Sequence, residues 1–157
     1  MGRCDFKWMN DKTLKISGTI DENFSIDGEL AKFPSDVWLD LRDIERINSC
    51  GVREWIKAIA KSPSRIHYVN SSTVVVSQFS MIPEFIGKKS VVESFATHFV
   101  CPDCGHEDMS ILVVGKDIMA GQECYLESPE LKCSACGEPM ECDHNPELYF
   151  SFLSGGT

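Results

Sequence analysis

Four of the eight cysteines stand in two C-x-x-C-G segments, and this pattern can bind a metal ion. Cys101 and Cys104 form the first segment, Cys133 and Cys136 form the second, and 28 residues separate the two. Two cysteines at this spacing can direct both thiolates at one centre, and the following glycine permits the turn that exposes backbone N–H groups to the sulfur atoms. Since four thiolates complete a tetrahedral shell, we predict one structural Zn²⁺ ion at these cysteines.

Other interpretations of the cysteines stay open at the level of sequence. An iron–sulfur cluster uses the same four thiolates. A redox-active C-x-x-C pair normally stands alone beside a βαβ unit, whereas here the pair is doubled. A catalytic metal site keeps an open position, and His106 or His144 could enter such a site. The cysteines at positions 4, 50, 124 and 142 are interpreted as packing residues.

The segments around these cysteines resemble a zinc ribbon, in which short antiparallel strands are held by one ion. Alternating residues predict a strand at 110–114, and further strands are expected at 124–126 and in the aromatic segment 148–153. So little apolar mass cannot hold a domain alone, and metal binding would therefore supply much of its folding free energy.

The charge of the chain is unevenly distributed. Residues 1–100 contain 13 basic and 13 acidic residues, whereas residues 101–157 contain 2 basic and 11 acidic residues and so carry the whole net charge of −9. This break predicts two modules, residues 1–98 and residues 99–157. Nucleic acid is an unfavourable partner because binding to phosphates requires clustered lysine and arginine.

Residues 37–61 of the first module predict a strand, a loop and an amphipathic helix. Residues 37–41 are apolar enough for a buried strand, and Asn48, Ser49, Cys50 and Gly51 form a small polar turn before the helix. One helix face is apolar and the opposite face is charged. The apolar face is assigned to Val52, Trp55, Ile56, Ile59 and Ala60, and the charged face to Arg53, Glu54 and Lys57.

This stretch resembles the signature of STAS domains, the fold of bacterial anti-sigma-factor antagonists. In that family a strand ending in Asp-Leu is followed by Asp-Ser-Ser-Gly-Leu at the start of a helix. Here Asp40-Leu41 and the segment from Asn48 to Val52 take those places. The resemblance implies that Ser49 is a phosphoacceptor. A serine just before an apolar helical run is also a common N-cap, so Ser49 could be the cap of this helix as well. Asn48 and Cys50 depart from the family pattern by replacing its Asp and its second Ser.

The other elements predicted for the first module agree with the same fold. Strands are expected at 3–9, 14–20, 65–69 and 91–100, and helices at 25–33 and 74–86, the latter distorted near Pro83. Strands that alternate with helices imply crossovers and a mostly parallel sheet. The predicted fold class is therefore α/β, a STAS-like mixed, mostly parallel sheet with a small C-terminal β zinc-ribbon module.

The resemblance implies a non-catalytic regulator that binds a kinase, an anti-sigma factor or a transporter ATPase subunit. Its contact residues would be Asn48, Cys50, Gly51, Arg53, Glu54 and Lys57. Enzyme activity is not expected because the sequence lacks a phosphate-binding glycine loop, a nucleophile elbow and an HExxH motif. A nucleic-acid-binding or small-ligand-binding regulator is the alternative.

The cysteine content and the first residues indicate the compartment that we expect. No run of eighteen apolar residues is present, so membrane insertion is not expected. Residues 1–10 lack a basic start followed by an apolar core, and eight cysteines without such a signal favour a reducing compartment. A cytoplasmic protein is the expectation.

Overall fold

The computed structural model describes residues 3–118 and 131–153, and these residues form two β-sheets with four α-helices. The strands are β1 (Cys4–Trp8), β2 (Thr13–Ile20), β3 (Asp36–Asp40), β4 (Ile44–Ile47), β5 (Arg65–Val69), β6 (Val91–Val92), β7 (Ser94–Val100), β8 (Glu107–Val113) and β9 (Glu141–Cys142). The helices are α1 (Asp27–Leu30), α2 (Ser49–Lys61), α3 (Thr73–Met81) and α4 (Pro146–Tyr149), with 3-10 helices at Pro83–Phe85 and Ser151–Leu153. The predicted α/β class with a mixed sheet is confirmed.

The first sheet has the order β1-β2-β3-β5-β6. β1 and β2 form an antiparallel hairpin, whereas β2–β3, β3–β5 and β5–β6 are parallel pairs. β4 also lies parallel to β2, along its second half, after a register shift next to Gly18. The carboxyl ends of β2 and β4 therefore lie together at the start of α2.

The first sheet buries one face against the helices. Alternate residues of β2, β3 and β5 are at most 1% exposed, namely Leu14, Ile16, Val37, Leu39, Ile66 and Tyr68. Trp55 of α2 is fully buried, stacks on Phe85 with ring centroids 5.1 Å apart, and donates its indole N–H to the Phe85 carbonyl. The aromatic contact and the indole hydrogen bond together fix α2 against the 3-10 helix at Pro83–Phe85.

The second sheet has the order β8-β7-β9, and all its pairs are antiparallel. Phe95 and Phe99 of β7 are fully buried. After β9 the chain returns to α3, where the Ser80 hydroxyl donates to the Tyr149 carbonyl at 2.7 Å. The Tyr149 hydroxyl donates to the Ala96 carbonyl at 2.6 Å, so the returning segment contacts both α3 and β7.

Three sequence predictions in the first module are corrected by the structure. The predicted loop between residue 41 and the helix contains β4, which its sequence does not reveal because its stability depends on pairing with β2. The single strand predicted at 91–100 is two strands, β6 in the first sheet and β7 in the second. On α2, the structure buries Ala58 and exposes Ala60, the reverse of the prediction for Ala60.

The strand predicted at 148–153 is also wrong, because this segment forms α4 and the following 3-10 helix. Helical spacing places Tyr149, Phe150 and Leu153 in the core together, which an alternating strand would not do. The strand predicted at 110–114 is confirmed as β8, and the one at 124–126 lies outside the described residues. The boundary predicted between residues 98 and 99 falls inside β7 and stays a prediction. Among the described residues, every helix is too short or too polar to cross a bilayer.

Gly51 allows α2 to begin directly against the end of β2. A Cβ atom at this position would lie 2.0 Å from the Ile20 carbonyl oxygen and 2.8 Å from the Asp21 nitrogen. Neither backbone atom can move without displacing the strand.

We expect Gly51→Ala to lower the free energy of unfolding by at least about 2 kcal/mol, because the added methyl group meets backbone. Urea unfolding measures the change. Gly28→Ala is the matched control, since a Cβ atom there meets nothing within 4 Å. Equal stability of the two variants would contradict the prediction.

Candidate functional site

The two cysteine segments have the same backbone conformation. In the first, Gly105 N–H donates to the Cys101 carbonyl and Cys101 N–H donates to the His106 carbonyl. In the second, Gly137 N–H donates to the Cys133 carbonyl and Cys133 N–H donates to the Glu138 carbonyl. Gly105 and Gly137 have φ values of +77° and +81°, which side chains disfavour. The C-x-x-C-G pattern therefore encodes two equivalent turns, as the sequence predicted.

These turns bring the four predicted ligands together. The Sγ atoms of Cys101 and Cys136 are 3.5 Å apart, and those of Cys104 and Cys133 are 3.6 Å apart. All four lie within 4.8 Å of one another. Zn–S bonds of about 2.3 Å in a tetrahedron place sulfur atoms about 3.8 Å apart. The cluster is compatible with a metal site, and the separations exclude disulfide bonds within it.

The pKa values of the cluster differ because the thiols compete for one another's hydrogen bonds. Burial alone would raise the pKa of Cys133, but backbone N–H groups of Cys136 and Ala135 lower it to about 7. The Glu138 backbone N–H lowers the pKa of Cys136, yet contacts with the other thiols raise it to about 12. Four thiolates therefore require a cation to coexist, which fits a bound metal ion.

His106 and His144, the alternative ligands, are engaged elsewhere. His106 Nε2 lies 3.0 Å from Asp108 Oδ1 and 3.1 Å from the Ser134 hydroxyl, which also donates to Asp108. This network joins the start of β8 to the second cysteine segment. The His144 ring stacks on Tyr149 with centroids 3.8 Å apart, and its Nε2 accepts the His98 backbone N–H.

Two of the remaining cysteines fit the packing interpretation. Cys4 and Cys142 are partly buried, and burial raises the pKa of both thiols, that of Cys4 to about 12. Cys50 is exposed. Cys124 lies outside the described residues.

The predicted regulatory site lies at the first turn of α2. The Asn48 side-chain oxygen accepts the Gly51 N–H at 2.7 Å, so Asn48 is the N-cap. The sequence had left Ser49 itself as a possible cap, and this interpretation is wrong. Ser49 is exposed, and no hydrogen bond from its hydroxyl to another described residue is found. Its side chain is therefore free for modification or contact.

The other predicted contact residues follow Ser49 along α2. Arg53 and Lys57 are exposed, whereas Gly51 is buried, and Lys57 pairs with Glu54 at 3.7 Å. A cavity of about 710 Å³ opens beside the cap. It is lined by Thr19, Asp21, Glu45, Arg46, Ile47, Asn48 and Val74. Of the predicted contacts, this cavity includes only Asn48 among its lining residues.

Sequence reasoning missed two histidine–carboxylate clusters. His67 contacts Asp36 and Glu93 and stacks on Trp38 with centroids 4.3 Å apart. His98 contacts Glu107 and Asp143. The partners come from distant parts of the chain, and spacing along the sequence therefore carries no signal for them.

Comparisons with protein-family models, curated proteins and solved structures returned no match. The functional interpretation therefore rests on the geometry of the two sites and on the sequence pattern.

Replacing Asn48 tests the cap. We expect Asn48→Ala to lower the free energy of unfolding by about 1 kcal/mol, because the Gly51 N–H loses its acceptor. Asn48→Ser should retain most of the stability of the wild type, since a serine hydroxyl accepts the same bond at an N-cap and places no charge beside the Glu22 carboxylate, to which the Asn48 side-chain N–H donates at 3.4 Å. Urea unfolding of both variants measures the difference, and an equal loss in both would contradict capping.

Proposed function

We propose that the protein is a non-catalytic regulator whose STAS-like domain binds a protein partner through the start of α2. Modification of Ser49 controls this contact, and the C-terminal module is a zinc ribbon held by one structural Zn²⁺ ion. The observation that carries the proposal is the exposed Ser49 hydroxyl beside an independent N-cap. The order β3, β4 and α2, with Ser49 as the first residue of α2, supports the STAS-like assignment.

A phosphoryl group on Ser49 is compatible with the helix. It adds nearly two negative charges, and the N-terminal turn of α2 offers N–H groups and the positive end of the helix dipole. Because Asn48 already caps the helix, Ser49 can be modified without losing the Gly51 hydrogen bond. The modification would therefore change the surface that a partner meets and leave the fold intact.

The geometry of the cysteine cluster supports the structural role of zinc. The four thiols supply a complete tetrahedral shell, with no position left for a substrate or a water nucleophile. They tie the turn before β8 to the turn after residue 131. A bound ion would supply folding free energy at this place.

Elemental analysis of the purified protein should return one zinc ion per chain. Chelation should unfold the region around residues 101–106 and 131–140. It removes the contribution of metal binding to the folding free energy, which reaches about 10 kcal/mol or more in small zinc domains. Hydrogen exchange locates the loss. Cys104→Ser should lose the metal and Cys50→Ser should retain it, since Cys50 lies outside the cluster. Absence of metal, with four titratable thiols in the folded protein, would overturn the assignment.

A partner bound by the wild type should be lost on Ser49→Asp and kept on Ser49→Ala. Affinity capture from lysate followed by mass spectrometry identifies the partner, and binding of the purified partner then gives the Kd. The added charge at the contact surface is expected to weaken binding at least tenfold, about 1.4 kcal/mol.

Ser35→Asp is the matched control for this experiment. Ser35 is exposed and precedes β3, so it lies at the amino ends of the parallel strands, opposite to Ser49. Urea unfolding verifies that each variant is folded. Equal binding by wild type and Ser49→Asp, or equal loss with Ser35→Asp, would overturn the regulatory role of Ser49.

The cavity beside Asn48 favours a second candidate function, the binding of a small ligand. Asp21, Glu45 and Arg46 give it charges of both signs, and Ile47 and Val74 give it an apolar part. Such a ligand would lie next to Ser49 and could control the same partner contact. Ligand binding that Arg46→Gln abolishes while Ser49→Asp leaves it unchanged would support this alternative.

A further inference from the structure

A histidine and two carboxylates converge on the second sheet from three neighbouring strands. His98 lies on the central strand β7, Glu107 is the first residue of β8, and Asp143 directly follows β9. One ligand atom from each residue lies within 4.8 Å of the other two. None of the three belongs to the cysteine cluster.

The strand register holds this group in place. Glu107 pairs with Val100, two residues beyond His98 on the same face of β7. The Asp143 backbone N–H donates to the His98 carbonyl at 2.8 Å, which fixes the chain that carries the Asp143 carboxylate. The His98 backbone N–H donates in turn to His144 Nε2. A rigid antiparallel sheet therefore positions all three side chains.

Each ring nitrogen of His98 faces its own carboxylate. Nδ1 lies 2.9 Å from Asp143 Oδ2, and Nε2 lies 3.1 Å from Glu107 Oε1. Donor atoms bound to one metal ion at about 2.1 Å are roughly 3 to 3.5 Å apart, so the imidazole and Glu107 are already spaced as two ligands. Asp143 occupies the place of the carboxylate that accepts the other N–H of a metal-bound histidine.

We propose that this group is a second metal site, for a divalent first-row ion such as Zn²⁺. His98 Nε2 and Glu107 are the ligands, and Asp143 is a positioning residue that orients the ring through Nδ1–H. The Nε2 lone pair and the Glu107 carboxylate bind the ion, and the negative charges of the two carboxylates balance its positive charge. The side chains are partly exposed, 26% for His98 and 61% for Glu107, and water completes the coordination shell.

His144 lies close to this site but is not a ligand. Its Nε2 is occupied by the His98 backbone N–H, and burial, its largest influence, lowers its pKa and keeps the ring neutral as an acceptor. Its ring is held by stacking on Tyr149. His98 and His144 therefore do not act together as a pair of metal ligands.

Titration of the full chain with Zn²⁺ in a calorimeter, after one equivalent has been loaded, tests the site. A second equivalent should bind to the wild type. Glu107→Gln should weaken it at least tenfold by removing a ligand charge, and Asp143→Asn should weaken it about tenfold by removing the orienting acceptor. Glu141→Gln is the matched control, an exposed acid on β9 outside the group, and should leave binding unchanged.

Titration with Co²⁺ separates the two sites. Cobalt bound by the cysteine cluster gives a thiolate-to-metal charge-transfer band, whereas cobalt bound by His98 and Glu107 does not, so the second equivalent should bind without adding to the band. His98→Gln should abolish that second equivalent while the first equivalent and the band stay intact, which also shows that the variant is folded. Absence of a second bound equivalent, or an equal loss on Glu141→Gln, would overturn the proposal and leave His98 as a hydrogen-bond partner of the two carboxylates.

Discussion

The first turn of α2 lies so close to the end of β2 that residue 51 has no room for a side chain. The Asn48 backbone N–H donates to the Ile20 carbonyl, and the Asn48 side chain holds the Gly51 N–H. These contacts fix both the position and the rotation of the helix. Ser49 and Cys50 consequently point to solvent, whereas Val52 and Trp55 enter the core. A steric constraint in the backbone thus determines which side chains the helix start can present to another molecule.

The cysteine cluster is attached to the rest of the chain through paired strands. β6 belongs to the first sheet and β7 to the second, and only Glu93 lies between them. Glu93 accepts the Trp38 indole N–H and contacts His67, so the residue at this junction is bound to the first sheet. Motion of the cysteine segments relative to the first sheet is therefore restrained by hydrogen bonds and by packing of the returning segment on α3.

Sequence patterns were sufficient to predict the structure where interactions between neighbouring residues determine it. The C-x-x-C-G segments, the period of α2 and the bounds of β5 were predicted because turns, amphipathic faces and short buried runs are encoded by neighbouring residues. The division of residues 91–100 into β6 and β7 was not predicted, since alternation indicates a strand but not the sheet to which it belongs. The helical conformation of residues 148–153 depends on contacts with Phe95 and Ala96, and the carboxylates around His98 depend on strand register.

The contacts of the returning segment have a consequence for synthesis of the chain. Phe79 packs against Phe152, and Phe95 packs against Phe150 and Tyr149, across more than fifty residues of sequence. While the ribosome is still adding those later residues, the preceding strands and helices can fold, but the rings of Phe79 and Phe95 remain exposed to water. A nascent chain therefore carries an exposed apolar surface until residues 149–153 have emerged. Chaperones would have the largest apolar surface to cover during that period.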